Sequence, residues 1–136
     1  MRYWASLILI ASPVAAWAGD AAGVALRGQL RQTPGQPPVI ETADHKRVVV
    51  RGDDPTMKVL TDERLNGSDF EAHGNFTGGE VFEVNHIHVP SLFVYRGGKR
   101  LQVSYWCDVC YIRTSSPGKC WCCQKQTDLD PIEPEQ

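Results

Sequence analysis

All five cysteines of this 136-residue chain fall within seventeen residues, from Cys107 to Cys123. Few other patterns restrict a fold so tightly, because whatever links these sulfurs must draw one short segment into a knot. The order is Cys107-x-x-Cys110, nine residues, then Cys120-x-Cys122-Cys123. Two Cys-x-x-Cys pairs can be read from it, Cys107 with Cys110 and Cys120 with Cys123. Each pair can form a tight knuckle that offers two thiolates, and two knuckles close a four-thiolate tetrahedral site. Ser115-Ser116-Pro117-Gly118 supplies a turn between them. The candidate metal ligands are therefore Cys107, Cys110, Cys120, Cys122 and Cys123, with Cys122 surplus to a four-ligand set. Thiolates are soft donors that suit Zn²⁺ or Cu(I), and zinc is the expected metal with copper as the alternative.

Two other chemistries fit the same residues. Structural disulfides are one, but bridges inside so short a segment close small loops and remove little chain entropy, and an odd count leaves one thiol over. A thiol–disulfide redox pair at Cys107 and Cys110 is the other, although no βαβ pattern surrounds it. Haem attachment is excluded, since Tyr111 and Gln124, not histidine, follow the two pairs.

The first eighteen residues bear on this choice. MRYWASLILIASPVAAWA carries one early positive charge, Arg2, then an apolar run through Leu7–Ile10, and ends in Ala16-Trp17-Ala18, a small-x-small pattern. Residues 1–18 read as a cleaved secretory signal peptide. The run is interrupted by Ser12 and Pro13 and falls short of the roughly 20 apolar residues of a membrane span. The expected location is periplasmic or secreted, with no membrane span after cleavage. Such compartments are oxidising, which keeps disulfides in contention. The chain has a formal charge of −2 before Arg2 is removed. It shows no basic excess, so the electrostatic footprint of a nucleic-acid binder is missing.

Residues 19–106 read as strands punctuated by turns. Leu26, Gly28 and Leu30 alternate with Arg27, Gln29 and Arg31, a half-buried strand. Val39–Thr42 and Arg47–Val50 flank Asp44-His45 as a hairpin, with His45 a turn residue. Asp53-Asp54-Pro55 signals a helix start, followed by a short stripe of Met57, Leu60 and Leu65. In the next strand Phe70, Ala72, Gly74 and Phe76 share one face, and Glu71, His73 and Asn75 point to solvent. A further strand is expected over 81–89. Gly97-Gly98 then joins Ser91–Tyr95 to Arg100–Tyr105, because paired glycines permit the positive φ angles of a two-residue hairpin turn. That register sets Val94 opposite Leu101 and Leu92 opposite Val103.

The order strand, hairpin, short helix, strand, strand, with the phrases Leu26-Arg27-Gly28-Gln29-Leu30, Ile40-Glu41-Thr42-Ala43-Asp44, Asp62-Glu63-Arg64-Leu65-Asn66-Gly67 and Gly74 with Phe76, resembles small exported bacterial OB-fold proteins. The resemblance implies a mainly β fold, a five-stranded OB-like barrel with one short helix. A β-hairpin and a cysteine-rich knuckle over 107–124 would follow it. The tail 105–124 resembles a small zinc ribbon or rubredoxin-type knuckle pair. OB-like barrels serve binding and structural roles alike, so the resemblance names no partner, protein or small ligand. Residues 125–136 are acidic and proline-bearing and read as a disordered tail.

His86 and His88 stand two apart in the expected 81–89 strand, which would turn both imidazoles to one face. They form a second, weaker metal candidate. No phosphate-binding glycine loop or nucleophile elbow is present, and no catalytic residue is assigned. The expectation is an exported, non-catalytic binding or structural module with a cysteine-held metal. The alternative is a thiol–disulfide redox or copper-handling protein.

Overall fold

The computed structural model describes residues 23–135; the leader-like stretch 1–18 lies outside them. Seven strands form the main sheet: β1 Val24–Arg31, β2 Val39–Glu41, β3 Arg47–Arg51, β4 Asp69–Gly78, β5 Val81–Val84, β6 Leu92–Arg96 and β7 Lys99–Gln102. The first five close on themselves in the order β1-β2-β3-β5-β4, with β4 returning to β1. The β3–β5 pairing is parallel and the others are antiparallel. This is a closed, OB-like five-stranded barrel, and closure leaves no free sheet edge within it.

The alternation legible in the sequence sets the interior. Leu26, Leu30, Ile40, Val48, Val50, Phe70, Ala72, Phe82 and Val84 are all buried in one core. Two glycines make the closure possible. A Cβ on Gly28 would lie 2.2 Å from the Glu41 carbonyl oxygen, and one on Gly74 would lie 1.9 Å from that of Glu83. Both distances are inside van der Waals contact, so only glycine allows these backbones to approach.

Helix α1, Asp54–Leu60, packs Val59 and Leu60 into the barrel core. Asp53 caps it, accepting from the Thr56 N–H at 3.0 Å and the Thr56 hydroxyl at 2.6 Å. These two bonds hold the Asp53 carboxyl below its ordinary pKa. Of the expected stripe, Leu60 and Leu65 are buried and Met57 is partly so. The helix stops at Leu60, and Leu65 reaches the core from a separate 3₁₀ turn, Glu63–Leu65.

The β6–β7 hairpin pairs with the first half of β4, on the side where β5 pairs with the second half. Val94 faces Leu101 as expected, and Gly97 and Gly98 take φ of 58° and 78°. This extension buries what the alternation assigned to solvent. Glu71 is covered by the hairpin: Tyr95 donates to it at 2.6 Å, Arg100 at 3.1 Å, and His73 Nε2 lies 2.6 Å away. Burial pushes the Glu71 carboxyl up, but these three partners outweigh it and its pKa lies below the ordinary value.

Two further expectations are corrected, and one is refined. The strand expected over 81–89 ends at Val84. Beyond it the Ser91 amide turns back to His88 O, and Pro90 has no N–H to give a ladder. Phe76 keeps the expected face, opposite the buried Phe82 and edge-on to its ring at 5.1 Å, but is half-exposed there. The tail is ordered through the described residues. β10, Asp128–Leu129, pairs with β8, Tyr105–Cys107, and Gln102 exchanges two backbone bonds with Ile132 at 2.7 and 3.0 Å. Backbone pairing to an existing edge needs little side-chain hydrophobicity, which is why composition misjudged this segment.

Candidate metal centre

A second, three-stranded sheet carries the cysteines. β8 is Tyr105–Cys107, β9 is Ile112–Thr114, and the order is β10-β8-β9. Tyr105 is fully buried in the barrel core, so the strand that ends in Cys107 starts inside the barrel. Its hydroxyl has no hydrogen-bond partner, and burial together with the nearby Asp62 carboxylate raises its pKa strongly. Arg64 ties the two parts on the outside. It pairs with Asp62 at 2.8 Å and donates to the Thr127 carbonyl at 2.9 Å.

The two Cys-x-x-Cys segments fold alike. In the first, the Tyr111 N–H donates to Cys107 O at 2.9 Å, and Tyr111 takes φ of 56°. In the second, the Gln124 N–H donates to Cys120 O at 2.8 Å, and Gln124 takes φ of 62°. A left-handed conformation costs a non-glycine residue on the order of 1 kcal/mol or more. Only three non-glycine residues of the described chain adopt it, and two of them occupy this one equivalent position. The second knuckle is closed at its base by a Lys119–Gln126 bridge, with the Cys120 N–H donating to Lys125 O at 2.7 Å.

The sulfurs converge. Those of Cys107, Cys110, Cys120 and Cys123 all lie within 4.8 Å of one another, and those of Cys107 and Cys123 are 3.5 Å apart. A tetrahedral centre with metal–sulfur bonds of about 2.3 Å requires sulfur separations near 3.8 Å. The spacing suits one ion, and no disulfide joins any of the five. Backbone amides face the sulfurs, as thiolates require. The Cys110 N–H lies 3.5 Å from Cys107 Sγ. The N–H groups of Cys123 and Cys122 bring the Cys120 thiol down to about 7. The Lys125 N–H acts on Cys123 in the same sense, but burial and the neighbouring Cys107 thiol outweigh it and its pKa is raised. The Cys110 thiol is pushed up, by Cys122 first, then by burial and by Cys123 and Cys120. Asp108 of the first knuckle and Lys125 beside the second form an ion pair at 2.6 Å that clasps the two turns.

Four of the five expected cysteines thus form the group. Cys122 lies outside it and is exposed. The two histidines do not join it. His86 is exposed, while His88 is buried with Nε2 3.0 Å from the Ser115 carbonyl oxygen. The strand that would have turned both to one face ends at Val84, and neither belongs to the four-cysteine group. Beside the first knuckle, Trp106 meets Tyr111 edge-on at 6.0 Å, and Arg113 lies 4.9 Å above Trp106.

The geometry defines a closed OB-like barrel bearing a four-cysteine site. No family model, curated protein or solved structure matches the chain. Among the described residues, no helix is long and apolar enough to cross a membrane.

Proposed function

We propose that this chain is an exported, non-catalytic binding or structural module whose C-terminal knuckles hold one Zn²⁺ through Cys107, Cys110, Cys120 and Cys123. One observation carries the reading: two knuckles of the same backbone form aim four sulfurs at one point. Zinc suits the site because four thiolates in tetrahedral array leave no open position for a reactant, the pattern of structural zinc. The absence of a helix behind Cys107-x-x-Cys110 weighs against a redox role, because lowered cysteine pKa values in such motifs draw on a helix N-terminus. Export rests on residues 1–18 alone.

Native mass spectrometry of the full chain purified from its producing cells tests both parts. The expected mass corresponds to a chain starting at Gly19 plus one zinc. A mass lower by four hydrogens, without metal, would replace the metal site with two disulfides. An intact Met1 would remove export from the proposal.

A further inference from the structure

Cys107 and Cys123 belong to opposite knuckles and stand 16 positions apart in the sequence, yet their sulfurs touch at 3.5 Å. An S–S bond is roughly 2.05 Å long, so a small rotation of two side chains would join them. Their backbones are held for that contact. Cys107 ends β8, where it pairs with Ile112 of β9. The Lys125–Asp108 ion pair at 2.6 Å ties the residues next to Cys123 to the first knuckle. The two sulfurs differ in access: Cys107 is buried and Cys123 is partly exposed. Loop length also favours this pair. A cross-link removes more unfolded-chain entropy the longer the loop it closes. A Cys107–Cys123 bridge spans the whole cysteine segment and joins the two knuckles, whereas a bridge within either Cys-x-x-Cys closes a very short loop and leaves the knuckles separate.

We infer that the knuckle pair has two exclusive closures, one ion on four thiolates or a metal-free Cys107–Cys123 disulfide, and that a hydroperoxide converts the first into the second. This rests on the metal reading above and adds a mode of regulation to it. The accessible Cys123 thiolate attacks one peroxide oxygen, the O–O bond breaks, and a sulfenic acid forms as hydroxide departs. The Cys107 thiolate, already in contact, attacks the sulfenic sulfur. The S–O bond breaks, a second hydroxide leaves, and the S–S bond forms. The two sulfurs lose two electrons together, and the two peroxide oxygens gain them. The ion keeps only the Cys110 and Cys120 sulfurs of the group and dissociates, while the new bridge keeps the knuckles together. A phosphine reverses the change by reducing the bridge and restoring both thiolates.

The test uses the full chain, reduced with a phosphine and loaded with zinc, then exposed to hydrogen peroxide. A chromophoric chelator follows metal release, peptide mass mapping after alkylation locates the bridge, and hydrogen exchange follows residues 107–127. Peroxide should speed release at least about tenfold over buffer alone, and one Cys107–Cys123 bridge should appear for each zinc freed. The bridged chain should keep its amide protection over 107–127, and phosphine should restore zinc uptake. A Cys122→Ser chain retains all four metal-facing cysteines and should give the same bridge at the same rate. A bridge within either Cys-x-x-Cys, a bridge to Cys122, release without any bridge, or lost protection in the bridged chain would each overturn this inference alone, provided the chain had loaded zinc. A reduced chain that takes up no zinc would overturn the metal reading and this inference with it.

Discussion

The barrel and the cysteine module are built on opposite principles. The barrel buries a continuous set of aliphatic and aromatic side chains from Leu26 to Val103. Each such residue gains about 1.5–3 kcal/mol on burial, and the closed ladder satisfies the backbone. The module buries little: beyond Tyr105, which belongs to the barrel core, its buried apolar residues are Cys107 and Cys120. Its larger side chains face outward, with Val109, Tyr111 and Trp121 exposed at 56, 77 and 74%. A segment with so little core and two left-handed residues needs another source of order. A shared ion at the four sulfurs would supply it, and the contrast predicts separate responses to separate insults.

The largest effect should come from the ion. Structural zinc sites contribute on the order of 10 kcal/mol or more, so a chelator, or Cys120→Ser, should disorder residues 107–127. The barrel amides should stay protected, which residue-resolved hydrogen exchange will check. Simultaneous loss of barrel protection would mean that the two regions are one cooperative unit. Phe82→Ala should act in the opposite place, costing about 3–5 kcal/mol and lowering the thermal midpoint of the barrel, as calorimetry of the metal-loaded chain would measure.

A smaller effect is expected where the regions touch. Arg64→Ala removes the donor to Thr127 O and leaves Asp62 unpaired, for a loss of about 1–3 kcal/mol. The double variant with Cys120→Ser should cost less than the sum of the two single changes, because the module then has no order left to lose. Simple additivity would break the idea that Arg64 links them.

The smallest effect concerns Glu71. Its pKa is depressed in the folded chain, so its stabilisation is present above the unfolded value of about 4.3 and fades as pH falls through the folded one. Tyr95→Phe should reduce stability at neutral pH by about 1 kcal/mol and flatten the acid limb of a denaturation series. An unchanged acid limb would show that Tyr95 does not hold the carboxylate.

The barrel was largely legible in the sequence because period-2 alternation and turn chemistry are local signals. Leu26 and Leu30, the Gly97-Gly98 turn and the Asp53 cap all behave as their neighbours dictate. What was not legible depended on contacts between distant segments. Glu71 and His73 look solvent-facing until the β6–β7 hairpin is laid beside β4. His86 and His88 look paired until the strand ends at Val84. Residues 125–132 look disordered until β8 and Gln102 offer them an edge. The cysteine spacing named five candidate ligands, but only the matched left-handed turns at Tyr111 and Gln124 separate Cys122 from the other four. That distinction lies in backbone geometry, and spacing alone carries two ways of choosing the fourth sulfur.

X-ray absorption at the zinc edge of the purified chain tests the central claim most directly. Four sulfur scatterers at about 2.3 Å, unchanged by Cys122→Ser and reduced to three by Cys123→Ser, are the result expected here. A shell containing nitrogen or oxygen in the unaltered chain, or the loss of a sulfur on replacing Cys122, would contradict a centre closed by Cys107, Cys110, Cys120 and Cys123.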